Sequence, residues 1–88
     1  MADIDPIARA EEAQRLLANP LITDAFAEVH RGIINKFTAC AVNDKETQYE
    51  CKRMLVALDN VERALKSFVS TGKLAQLKME RGHTFLST

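Results

Sequence analysis

The sequence predicts an all-α protein: a long antiparallel helical hairpin, with a shorter N-terminal helix packed on its base and an irregular C-terminal tail. The second half of the chain repeats one helical face at alternating intervals of four and three, which is typical of a long helix packed along another helix. Each of the two prolines follows a good helix-capping residue, and only three glycines interrupt the 88 residues. The repeated positions are Thr47, Cys51, Met54, Leu58, Val61, Leu65 and Phe68.

The first helix is predicted over residues 6–18. Asp5 is a favourable N-cap, and Pro6 at the first helical position gives up no intrahelical hydrogen bond. Because the residue before a proline avoids the helical region, the Asn19-Pro20 pair ends this helix.

The second helix is predicted over residues 20–42, with Asn19 as its N-cap and Pro20 as its first residue. Gly32 lies within it, and a glycine in a helix interior costs about 1 kcal/mol relative to alanine. We expect a second backbone to approach closely at Gly32; a tolerated defect is the alternative.

The third helix is predicted over residues 44–71. Asn43 and Glu46 have the spacing of a capping box at its start, and Gly72 is placed as a left-handed cap at its end. Residues 73–88 then form the irregular tail, which either folds back over its own core or reaches a neighbouring molecule.

Size and composition indicate one small domain over residues 1–88. A chain of this size buries only about 60–65 % of its unfolded surface, so a partner chain, a disulfide or a metal is usually added. The formal net charge is zero, so no overall field attracts nucleic acid or acidic membranes. No apolar run reaches the roughly 20 residues of a membrane span, and the acidic N-terminus is unlike a signal peptide. We therefore expect a cytosolic protein without a membrane partner, in which Cys40 and Cys51 are buried free thiols.

The predicted helix lengths leave apolar surface uncovered near the tip of the hairpin. At 1.5 Å per residue the first helix is about 20 Å long and the third about 40 Å, so the first covers only the base. An exposed apolar patch usually marks an interface, and we expect a homo-oligomer or a hairpin that docks on a larger protein. The candidate interface residues are Ile34, Phe37, Cys40, Tyr49, Cys51, Met54 and Leu55 near the tip, with Phe85 and Leu86 in the tail.

The sequence holds no pattern of reactive side chains. Neither His30 nor His83 lies four residues from another metal ligand, and the two cysteines lack the spacing of a zinc site. Glycine-rich phosphate loops and the nucleophile-elbow pattern are also absent from the sequence. We therefore expect no catalysis, no bound metal and no cofactor.

Five basic residues are candidates for phosphate contacts. A helix-turn-helix protein needs short helices and a basic recognition face, whereas these helices are long and of mixed charge. Contact with nucleic acid would instead require an oligomer that gathers the basic side chains, and such binding weakens steeply with salt. The candidates are Arg53, Arg63, Lys66, Lys73 and Lys78.

Residues 10–21, AEEAQRLLANPL, and residues 69–75, VSTGKLA, resemble segments of small helical proteins encoded by tailed bacteriophages and prophages. The resemblance extends over most of the chain up to residue 75 and rests on helix boundaries rather than on reactive groups. It implies a phage origin, synthesis in the cytoplasm of a bacterial host, and a role in virion assembly or against host defence.

These observations lead to three functional hypotheses. The first is a non-enzymatic phage assembly protein that acts by homo-oligomerisation, or by docking on a larger phage or host protein in a virion or assembly complex. The alternative is an inhibitor of a bacterial defence system, which blocks a protein surface or sequesters a nucleotide between subunits. The third is a small DNA-packaging subunit.

Overall fold

The fold is all-α, as the sequence predicts. The computed structural model describes the backbone of residues 5–86 and the side chains of residues 5–81. Helix α1 spans Pro6–Ala18, α2 spans Pro20–Ala39 and α3 spans Lys45–Leu86, and the described residues contain no strand. Helices α1 and α2 each begin at a proline, as predicted.

A single residue, Asn19, separates α1 from α2. Its backbone is extended, with φ −77° and ψ 118°, and its side-chain oxygen accepts a hydrogen bond from the N–H of Leu21 at 2.9 Å. Pro20 has no N–H to continue the hydrogen bonds of α1. Asn19 therefore ends α1 and caps α2, which confirms the predicted role of the Asn19-Pro20 pair.

Helices α1 and α2 both run antiparallel to α3. The Arg9 guanidinium lies 4.3 Å from the centroid of the Phe68 ring, and Lys36 Nζ lies 3.1 Å from Glu50 Oε1. Residues later in the α1–α2 segment therefore contact residues earlier in α3. The prediction that the first helix packs on the base of a hairpin needs correction in this respect: α1 meets α3 far more extensively than it meets α2, and leaves α2 largely uncovered.

Helix α3 does not end at Gly72, so the predicted left-handed cap and irregular tail are wrong. The described residues include none with positive φ, and the helix continues to Leu86. Gly72 is buried because α1 crosses α3 there: a Cβ atom added at Gly72 would lie 2.0 Å from the Cβ of Ala10 and 2.9 Å from the carbonyl oxygen of Pro6. Gly72 therefore allows close contact between two helices and does not end α3.

The turn between α2 and α3 also differs from the prediction. Helix α2 ends at Ala39 rather than near residue 42, and the N-cap of α3 is Asp44 rather than Asn43. The N–H of Thr47 donates to Asp44 Oδ1 at 3.1 Å, and hydrogen bonds from the side chain and backbone of Thr47 lower the pKa of the Asp44 carboxyl. Adjacent Asn and Asp residues are both good caps, so the sequence alone does not choose between them.

The molecule is elongated. Its Cα radius of gyration is 19.2 Å, against about 12 Å for a compact domain of this length. Its extents are 68 × 24 × 23 Å, and the longest matches the roughly 63 Å of a straight 42-residue helix. A rod of this shape offers little interior, which limits how much apolar surface the chain can cover by itself.

Candidate interaction surface

The buried core is small and consists mainly of small side chains. Among the described side chains, the apolar residues that lose nearly all contact with solvent are Ala10, Ala13, Ile33 and Cys51. The total accessible surface is 7202 Å², whereas a compact monomer of 9.8 kDa exposes about 5,200 Å². The chain thus exposes about 2,000 Å² more than its mass requires.

An open groove runs along α2 where this helix separates from α3. It encloses about 800 Å³, and most of its lining comes from α2. The side chains that line it are Leu17 from the end of α1, Ile22, Thr23, Phe26, Ala27, His30, Arg31 and Ile34 from α2, and Glu62 and Lys66 from α3. We call this feature the α2 groove.

The α2 groove has apolar walls and a charged border. Ile22, Phe26 and Ile34 supply aliphatic and aromatic surface, with Ile34 37 % exposed. On the border, Arg31 is paired with Glu28 on its own helix, and α3 contributes Glu62 and Lys66. Charges of both signs around an apolar centre are typical of protein interfaces, which have an apolar core and a polar rim.

Most of the predicted interface residues near the tip of the hairpin are at least partly exposed. Tyr49 is 66 % exposed and Phe37 47 %, and Ile34 lies in the α2 groove. The three of intermediate exposure are Cys40, Met54 and Leu55. The side chains of Phe85 and Leu86 lie outside the described residues.

Cys51 is fully buried, so its prediction as an exposed interface residue is wrong. It lies on the face of α3 that meets α2, where a thiol is small enough to be covered completely. Both Cys51 and Cys40 are free thiols. The expectation of free thiols is therefore confirmed, although Cys40 is only partly buried.

The candidate phosphate contacts do not form one basic surface within a single chain. Arg63 pairs with Asp59 at 2.8 Å, and the Arg53 guanidinium lies 5.9 Å from the centroid of the Tyr49 ring. Lys66 borders the α2 groove, whereas Arg53 lines a shallow depression on another part of α3. Lys73 and Lys78 are exposed further along α3, in the helix that replaces the expected tail.

Two sets of apolar residues outside the predicted interface are also exposed. Ile22, Phe26 and Val29 recur at helical spacing along α2, yet Val29 is 52 % exposed and the other two line the groove. Leu74 and Leu77 were assigned to the tail but lie on α3, about half exposed. A helical stripe shows that a face is apolar; whether the chain itself covers that face depends on where α1 packs.

No group of three or more potential metal ligands occurs within residues described by the structure. Of the helices in that part of the chain, none has a stretch long and apolar enough to cross a bilayer.

Comparison with known proteins gives no relative for this chain: no family model, no curated protein and no solved structure matches it.

Proposed function

We propose that this chain is a non-enzymatic assembly protein that works by associating with further copies of itself. The observation that carries the proposal is the surface excess of about 2,000 Å² over a compact monomer of the same mass. A standard interface buries only about 800 Å² on each partner, so the excess is large enough to form one.

The energetics of folding also favour association. Apolar burial stabilises by roughly 25 cal/mol per Å², and the present core buries few large side chains. Covering the exposed apolar faces of α2 by another copy supplies the missing burial.

The phage setting of the proposal comes from the sequence resemblance alone. In that setting the chain would serve in a virion or in an assembly complex, and mass spectrometry of particles purified from a phage that encodes it tests this part. Peptides of the chain at a fixed ratio to the major head or tail protein are the expected result. Their absence from particles and from assembly intermediates would contradict it.

Self-association is tested by size-exclusion chromatography with multi-angle light scattering. At about 100 µM, where a micromolar complex is largely formed, we expect a mass that is a multiple of 9.8 kDa. A mass of 9.8 kDa at that concentration overturns the proposal and leaves docking on a different protein as the role of the exposed surface.

A further inference from the structure

We propose that the α2 groove is the seam between two copies of this chain, with α2 of each copy lying antiparallel in the groove of the other. This inference rests on the proposed function, because it names the face through which self-association occurs. It commits to a second copy as the occupant.

The shape and lining of the groove fit a helix. From Ile22 to Ile34 it extends about 18 Å along α2, which is a little over three helical turns. The side chains that line it recur at helical spacing along α2, so they present a continuous ridge as well as a depression. Ridges of this kind on one helix pack into the grooves of another at interaxial distances of about 8–10 Å.

The charges around the groove favour a second copy of this chain over a partner that is strongly acidic or strongly basic. The formal net charge is zero, so two copies do not repel each other as wholes. The border of the groove carries Arg31 and Lys66 together with Glu28 and Glu62, a balanced set that a strongly basic or acidic partner would not match. A two-fold symmetric contact requires a self-complementary surface of this kind.

An antiparallel arrangement centred on the groove predicts a register. A two-fold axis at the middle of the lining brings Ile22 near Ile34 of the second copy. It also brings Phe26 near His30 of the second copy. Each pair covers an apolar side chain that the isolated chain leaves in contact with water.

Two alanines of α2 provide a matched test. Ala27 lines the groove, whereas Ala25, two positions away, does not, and both are exposed. Since neither contributes to the core, replacement by glutamate leaves the fold of the single chain intact, which circular dichroism can verify. In the proposed dimer, Ala27→Glu places a bulky carboxylate in the seam of each copy, whereas Ala25→Glu leaves its carboxylate in water.

The expected result is that Ala27→Glu raises the dimer dissociation constant about a hundredfold or more, because a large charged side chain is then buried where the two helices touch. Ala25→Glu should leave that constant within about threefold of the unmodified chain. Light scattering over a dilution series measures both.

The other possible results separate failure of this inference from failure of the proposed function. If the unmodified chain is oligomeric and Ala27→Glu leaves it so, the α2 groove is not the seam, although the proposed function stands. If Ala25→Glu dissociates the oligomer as strongly as Ala27→Glu, the seam lies on another face of α2 and the inference is overturned. If the unmodified chain is a monomer, both the inference and the proposed function are overturned. Ile34→Lys, which changes a second lining residue, repeats the test at the far end of the groove.

Discussion

At the scale of single residues, Gly32 in α2 and Gly72 in α3 have opposite surroundings. Gly32 has no atom within 4 Å of an added Cβ, so the close approach of a second backbone expected there is absent within the chain. Gly72 is pressed against Ala10 and Pro6 of α1. Replacement of glycine by alanine is therefore expected to change the stability in opposite directions at these two positions.

Gly72→Ala should destabilise the fold by about 1–3 kcal/mol, because the new methyl group overlaps α1 and forces the helices apart. Gly32→Ala should stabilise it by about 0.5–1 kcal/mol, because alanine favours the helix and nothing lies in its way. Urea unfolding followed by circular dichroism measures both free energies. Stabilisation by Gly72→Ala would show that α1 does not cross α3 at this point.

Asp44 makes the start of α3 sensitive to acid. Its pKa is lowered from 3.8, chiefly by hydrogen bonds from Thr47, so its contribution to stability is present above that value and is lost as the pH falls through the lower folded pKa. Asp44→Asn keeps a capping side chain but removes this titration. Between about pH 5 and pH 2, we expect the thermal midpoint to fall less in Asp44→Asn than in the unmodified chain. Equal decreases in the two proteins would contradict the role of Asp44.

At the scale of elements, α1 is held on α3 by the close crossing at Gly72 and by the stacking of Arg9 on Phe68. The guanidinium lies 4.3 Å from the ring centroid, within the range of a cation–π contact. Arg15, on the same helix, makes only an exposed ion pair with Glu12. The two arginines of α1 therefore differ in how much they contribute to packing.

Arg9→Ala should lower the free energy of unfolding by about 1 kcal/mol, since it removes both the stacking and the cover that the side chain gives to Phe68. Arg15→Ala is the matched control and should change it by less than about 0.5 kcal/mol, because exposed ion pairs contribute little. Chemical unfolding of both variants under the same conditions makes the comparison. Losses of equal size would show that α1 is not anchored through Arg9.

The elements also show what sequence reasoning could and could not predict. Prolines fix the starts of α1 and α2 because their missing N–H and restricted φ have a local effect, and both starts are confirmed. The repeat in the third helix was recognised from Thr47 to Phe68 and in fact continues through Gly72 and Ala75, which are buried or half-buried. Gly72 is small because α1 lies against it. The cause of its size is distant in the sequence, so the local pattern alone predicts a helix end there.

The same limit applies to the candidate surface. The predicted helix lengths indicated that some apolar side chains would remain exposed, and the exposure of Tyr49 and Phe37 agrees with that prediction. The helix lengths did not predict that the groove would open along Ile22 and Phe26. Its position depends on α1 packing against α3 rather than over α2.

At the scale of the whole molecule, stability and association should be linked. If folded chains are stabilised by partners, mass action makes the thermal midpoint depend on protein concentration. For a dimer we expect an increase of about 3–6 °C for each tenfold rise in concentration. Differential scanning calorimetry over two decades of concentration measures it. A midpoint that stays constant over that range would mean that folding of the single chain is complete without a partner.

The uninterrupted helix α3, 42 residues from Lys45 to Leu86, also sets the length of the molecule. Its rigid length of roughly 63 Å would fix the thickness of any layer or ring whose subunits stand side by side. Because its contact face returns every seven residues, inserting one heptad into α3, with a matching insertion in the α1–α2 segment, would lengthen the molecule by about 10.5 Å without disturbing the packing. An insertion of one or two residues would instead rotate the far end of α3 away from its neighbours.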